Sequence, residues 1–212
     1  MTDAVKTEGL RATRVIENEE RMLRAARALF VEHGYQASTL AAVAEAAGVA
    51  PRTVYVRFGT KAALLKKVVD VTVAGDLKPI DVTHREWYLT SVSAPSLDER
   101  IGAFAKGSTR LLASAADVIA VAVEAAATEP ALAAAGRAGR AATRDSVHGF
   151  WSAAAEAGLL PHQCDLRWLS DTTSALAQAE TYLLMRETLG MTPRRYRTWL
   201  ATTWRRMAYG PG

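Results

Sequence analysis

Between Arg21 and Leu65 a set of helix breakers cuts the chain into short pieces, and that punctuation limits its possible folds more than any other feature. From Val15 to His33 the pattern is that of an amphipathic helix. Met22, Ala26, Leu29 and Phe30 fall on one stripe, with Glu19, Glu20, Arg24 and Arg27 opposite. Gly34 stands where a C′ residue ends a helix. Ser38 or Thr39 can cap a second helix, Leu40 to Ala47, whose Leu40, Val43 and Ala44 face inward. Gly48 makes the turn, and Pro51 suits the first position of a third helix, where its missing N–H would be unpaired anyway. That helix reaches about Phe58 and is expected to bury Val54 and Phe58. Thr60 then caps a fourth, Lys61 to roughly Ala74. Two short helices meeting at a glycine in this way read as a helix-turn-helix.

The charge along this stretch is one-sided. No acidic residue occurs between Glu45 and Asp70, whereas Arg52, Arg57, Lys61, Lys66 and Lys67 do. A surface that meets phosphates must present cations and keep carboxylates off the contacting face. Over all 212 residues the net charge of +4 is only mildly basic, so the clustering says more than the total.

The rest of the chain reads as helix. Residues 75–96, with two prolines and scattered polar residues, read as a helix end and an ordered linker on which Trp87 and Tyr88 pack. Ser96 and Glu99 form a capping box ahead of Ile101, Phe104, Ala105, Ser108, Leu111 and Leu112. Separate helices are expected over Asp117–Thr128, from Pro130 to Ala157 with an irregularity at Gly136 or Gly139, over Asp165–Leu189, and from Pro193 to about Tyr209. No strand pattern survives, so the fold class is all-α. The expected division is a flexible arm at 1–14, a DNA-binding domain at 15–74 and a larger helical domain at 75–212. Arg11 and Arg14 in the arm suit either a minor-groove contact or a solvated tail.

Several classes are disfavoured. Cys164 is the lone cysteine, the first twenty residues lack the apolar core of a signal peptide, and the apolar run Val118–Ala127 is broken by Glu124 and too short for a bilayer. A cytoplasmic protein without a membrane partner is the expectation. The histidines at 33, 84, 148 and 162 are scattered, and no metal, Walker, dinucleotide or nucleophile-elbow motif is present. Gly136–Arg140 lacks the preceding strand that a phosphate loop needs. No enzyme activity, cofactor or metal site is expected.

Met22-Leu23-x-Ala25-Ala26-x-x-Leu29-Phe30 followed by Gly34-Tyr35 resembles the opening helix of TetR-family transcriptional regulators. Ser38-Thr39-x-x-x-Val43-Ala44-x-x-Ala47-Gly48-Val49 resembles the second helix, and Thr53-Val54-Tyr55-x-x-Phe58-x-x-Lys61-x-x-Leu64-Leu65 the third and fourth. Two positions depart from the pattern: Ala50, where the family often has a serine or threonine cap, and Arg57, where an aromatic is common.

The candidate DNA contacts divide by chemistry. Thr39 sits at a helix start, where its hydroxyl and nearby N–H groups suit a phosphate. Pro51, Arg52, Thr53 and Val56 lie on the exposed early turns of the third helix, and the Arg52 fork matches either the two major-groove acceptors of guanine or a phosphate. By resemblance, Tyr55 and Lys61 are backbone anchors. A short reading helix calls for a homodimer on a palindromic operator, and the stripe of Tyr196, Trp199, Leu200 and Met207 suits either that interface or intrachain packing. The resemblance further implies a repressor released by a small-molecule effector, with Phe104, Glu124, Trp151 and Tyr182 as candidate pocket residues. The competing reading is a helical small-molecule-binding protein that has lost specific DNA recognition, which Ala50 and Arg57 keep open.

Overall fold

The computed structural model describes residues 2–75 and 81–210, with side chains from Arg14 onward. Among the described residues every regular element is helical. The elements are α1 (Thr2–Ala37), α2 (Leu40–Ala47), α3 (Pro51–Phe58), α4 (Lys61–Ala74), a single 3-10 turn (Val82–His84), α5 (Glu86–Ser93), α6 (Leu97–Ala125), α7 (Pro130–Glu156), α8 (Leu166–Leu176), α9 (Ala179–Leu189) and α10 (Pro193–Tyr209).

The first four helices follow the breakers. α1 loses helical geometry at Gly34, whose φ of +76° suits a residue without a Cβ. The Ser38 hydroxyl donates to the Leu29 and Gly34 carbonyls and so ties down the end of α1. Thr39 is the cap of α2, its oxygen accepting from the Ala42 N–H at 3.1 Å. Gly48, at φ 64° and ψ 40°, closes α2 by donating to the Ala44 and Glu45 carbonyls. Thr60 accepts from the Ala63 N–H at the start of α4.

Elsewhere the structure corrects the boundaries. Helix α1 begins at Thr2, within the stretch read as an arm; residues 2–14 contain no proline to stop it. The Arg11 side chain lies outside the described residues. The stretch read as a linker holds α5, whose Tyr88 is buried. Ahead of it, Asp81 accepts from the Thr83 hydroxyl and N–H, and these bonds hold its carboxyl below the usual range. α6 runs unbroken through Ala113–Ala116, where two helices were expected, because nothing there interrupts an alanine-rich sequence. α7 likewise passes through Gly136 and Gly139 without interruption. The single helix expected over Asp165–Leu189 is instead α8 and α9, separated at Ala177 and Gln178.

Packing gathers the chain into two compact units. One comprises the residues through Asp70 together with Asp117–Ala135, and the other Val71–Ala116 with the residues from Gly136 on. The first is built on Met22, Ala26, Phe30, Val43, Ala44, Val54, Leu64 and Leu65, all buried. Each large apolar side chain there contributes about 1.5–3 kcal/mol.

The second unit is organised by aromatic rings. Phe104, Phe150, Trp151 and Trp204 pack with centroids 4.8–5.5 Å apart, and Trp87 and Tyr88 join at Phe104. Polar ties fix their register. Tyr88 donates to the Ser146 carbonyl at 2.8 Å and the Trp151 indole to the Thr173 hydroxyl at 2.7 Å. Arg100, buried, donates to the carbonyls of Ala94 and Ala153.

Gly107 admits the Trp87 ring so closely that a Cβ would overlap it. Gly107→Ala should therefore lower stability by about 1–3 kcal/mol through overpacking, outweighing alanine's better helix propensity of about 1 kcal/mol. Thermal unfolding followed by circular dichroism would read this as a lower midpoint; an unchanged or higher one would contradict the close fit.

Candidate nucleic-acid interface

The third helix presents the residues expected to face a duplex. Pro51, Arg52, Thr53, Tyr55 and Val56 are all exposed, Val56 at 77% and Tyr55 at 55%, while Val54 is fully buried and Phe58 half-buried. α3 starts as the sequence implied: Ala50 offers no side-chain cap, Pro51 fills the first position, and the Thr53 N–H reaches the Ala50 carbonyl at 2.8 Å. Arg57 in the last turn lies at the negative end of the helix dipole, where a cation is favoured.

The cations fare differently from one another. Arg52 is exposed and forms no ion pair or hydrogen bond among the described residues. Its guanidinium fork is therefore available to a ligand. Arg57 instead pairs with Glu19, a carboxylate that is 6% exposed. This corrects the placing of Glu19 on the solvent face of α1: the guanidinium offsets the cost of burying its charge. It also accounts for a cation at a position where the family often has an aromatic. Lys66 pairs with Asp70, one turn on, at 2.6 Å.

Lys61 is held by the protein as well. Its Nζ donates to the Tyr35 carbonyl at 2.7 Å and the Gln36 carbonyl at 3.3 Å, and lies 4.2 Å from the centre of the Tyr35 ring. An ammonium has three protons, so one remains for another acceptor, and the side chain is half-exposed. Thr39 is in a similar position: its oxygen accepts the cap bond, leaving the hydroxyl proton to donate.

Tyr35 joins these parts, a role that its local sequence does not mark. Its ring stacks on Phe30 at 6.1 Å, its face carries Lys61, and its hydroxyl donates to Glu129 Oε1 at 2.9 Å. Burial, and then the hydrogen bond and charge of Glu129, push its phenol well above the ordinary tyrosine range. Glu129 lies in the turn between α6 and α7, far from Tyr35 in sequence but in the same compact unit. A bulky residue following the helix-ending Gly34 was the available signal for Tyr35; no local pattern points to Glu129.

The other candidate sites scatter. Phe104 and Trp151 are buried in the ring cluster of the second unit, whereas Tyr182 packs edge-on against Tyr196 at 4.8 Å. Glu124 is exposed and belongs to the first unit. Of the stripe expected at a dimer interface, Tyr196 and Leu200 are fully buried inside their own chain, while Trp199 and Met207 are half-buried. For Tyr196 and Leu200 the cause is simple: that side of α10 packs on its own unit, and the Tyr196 hydroxyl donates to the Leu176 carbonyl at 2.9 Å, while Trp199 and Met207 keep part of the stripe at the surface. Among the described residues no group of three or more His, Cys, Asp or Glu side chains could hold a metal ion, and no helix is long and apolar enough to cross a membrane.

Residues 22–68 match the family model described as bacterial regulatory proteins, tetR family, and the chain carries the helix-turn-helix head of that family. Solved structures share the fold over nearly the whole chain. A putative TetR-family transcriptional regulator from Rhodococcus sp. is 17% identical, with a TM-score of 0.69, over 91% of this chain and 98% of that one. The regulator FadR from Bacillus subtilis, in complex with stearoyl-CoA, is 15% identical, with a TM-score of 0.69, over 91% and 99%. NalD, the secondary repressor of the MexAB-OprM multidrug efflux pump in Pseudomonas aeruginosa, is 20% identical, with a TM-score of 0.66, over 92% and 97%. No curated protein sequence matches the chain.

The Glu19–Arg57 pair makes a testable difference to the head. Arg57→Ala should cost about 1–3 kcal/mol by leaving a buried carboxylate without its cation. Adding Glu19→Gln to that variant should recover most of the loss. Urea unfolding of the full chain measures both, and equal losses in the single and double variants would refute the pairing.

Proposed function

We propose that the chain is a homodimeric DNA-binding repressor that a small molecule releases from a palindromic operator. The observation that carries this reading is the outer face of α3, where Arg52, Thr53, Tyr55 and Val56 stand exposed and Arg52 is unpaired among the described residues. In this reading Pro51, Arg52, Thr53 and Val56 meet base edges, while Thr39, Tyr55 and the remaining proton of Lys61 meet phosphates.

The fold, shared with NalD and with FadR bound to stearoyl-CoA, supports the repressor sign and an effector with substantial apolar surface. A ligand acts as a release signal only if it binds the two conformations of the protein unequally. With Tyr196 and Leu200 committed to the chain's own core, the half-exposed Trp199 and Met207 of α10 and the exposed Trp168, Leu184 and Leu189 of α8 and α9 offer apolar surface to a second copy. A second reading, a helical small-molecule-binding protein without specific DNA recognition, draws on the engagement of Arg57, Lys61 and Lys66 by protein partners.

Selecting genomic fragments with the purified protein at physiological salt separates the two. Enrichment of one palindromic motif is expected. Binding that ignores sequence and vanishes as salt rises would favour the second reading. On the enriched motif, Arg52→Ala should cost about 1–3 kcal/mol and relax preference at a single base position. Equal weakening on specific and random duplexes would reassign Arg52 to a phosphate.

A further inference from the structure

We infer that Glu129, which lies outside the helix-turn-helix sequence, is a positioning residue for DNA binding that acts through Tyr35 on the Lys61 ammonium. The inference rests on the DNA-binding reading above and assigns that activity a residue that the family model, ending at 68, does not reach.

Three contacts in series carry it. The Glu129 carboxylate accepts the Tyr35 hydroxyl at 2.9 Å, which fixes the roll of a ring that is only 6% exposed. One face of that ring lies 4.2 Å from Lys61 Nζ. The carbonyls of Tyr35 and its neighbour Gln36 take two of the ammonium's protons. The third proton is thereby aimed by the protein, on a long side chain that would otherwise sample many rotamers. Ordering a long lysine side chain costs rotamer entropy, and here folding rather than DNA binding bears that cost. A phenol that donates to a carboxylate also has a more electron-rich ring, which strengthens its hold on the cation.

Glu129 itself is placed by the chain reversal between α6 and α7. Its N–H donates to the Ala125 carbonyl at 3.0 Å, and its own carbonyl accepts from Leu132 and Ala133 at 3.0 Å. The carboxylate is thus anchored through its backbone on both sides of the turn.

The sign of the expected effect is opposite to that of bulk electrostatics. Removing a carboxylate from a unit that binds DNA should, by charge alone, tighten binding. Here Glu129→Ala is expected to weaken it several-fold. The test measures affinity for a fluorescein-labelled duplex carrying the enriched motif, by anisotropy over a series of salt concentrations. Glu129→Ala and Tyr35→Phe should each weaken binding several-fold and flatten the salt slope by up to about 0.9, the share of one phosphate contact. Glu129→Gln, with the same net charge as the alanine variant but an oxygen that still accepts, should restore most of the affinity. In a Lys61→Met background, Glu129→Ala should cause no further loss, because its effect passes through the lysine.

Tighter or unchanged binding by Glu129→Ala would overturn the inference, as would an additive loss in the Lys61→Met background. A glutamine variant no better than alanine would do the same, since it would show that the charge and not the hydrogen bond matters. A wild-type protein that binds no duplex specifically fails at the earlier step, and both readings fall together. Specific wild-type binding that Glu129→Ala leaves intact overturns only this one.

Discussion

A helix of eight residues that fully buries one side chain cannot persist by itself, and the reading head depends on satisfying that constraint. α3 buries Val54 completely and only half of Phe58, so packing alone gives it little. Isolated helices below about 12–15 residues are marginal in water. What holds α3 is the framework around it. Pro51 presets its first turn, Gly59 closes it with a bond to the Tyr55 carbonyl, and Arg57 ties its last turn to Glu19 on α1. Each device works from the ends or from beneath, so the outer face carries no structural duty.

The cations of the head show the same division of labour. Counted in sequence, five basic residues without an intervening acid suggest a uniformly positive surface. In space, carboxylates from outside the stretch reach two of them, Glu19 for Arg57 and Asp70 for Lys66, and backbone carbonyls hold Lys61. The field over the head is thus set by fewer free charges than the sequence count implies, while the held ones gain defined positions. For recognition that exchange is favourable, because a fixed donor discriminates between geometries and a mobile charge does not.

Much of this was legible in sequence because it is written in local chemistry. Thr39 as a cap, Gly48 in the left-handed turn, Pro51 at a helix start and the Ser96–Glu99 box each depend on neighbours within four residues, and each lies where the pattern placed it. The failures share the opposite property. Glu19 reads as a solvent-facing carboxylate until Arg57, 38 residues on, is packed against it. Tyr196 and Leu200 form an apolar stripe that periodicity identifies correctly, but periodicity does not say whose core the stripe enters. α5 is as short as α2 and α3 but lacks their punctuation: Arg85 at its start offers no side-chain cap, so neither a boundary signal nor a period marks it. The Tyr35–Glu129 contact spans 94 residues and has no local trace at all.

The discontinuity of the first unit bears on how the chain assembles. The head is contiguous in sequence through Asp70, yet its unit is completed only by Asp117–Ala135, with Val118, Val121, Ala125 and Leu132 buried. During synthesis the four head helices therefore emerge well before the turn that supplies the acceptor for Tyr35. A head transplanted by cutting at residue 74 would carry every motif the family shares and still lack that carboxylate. The head as a folded unit is longer than the head as a sequence motif, and any exchange of heads would have to respect the former.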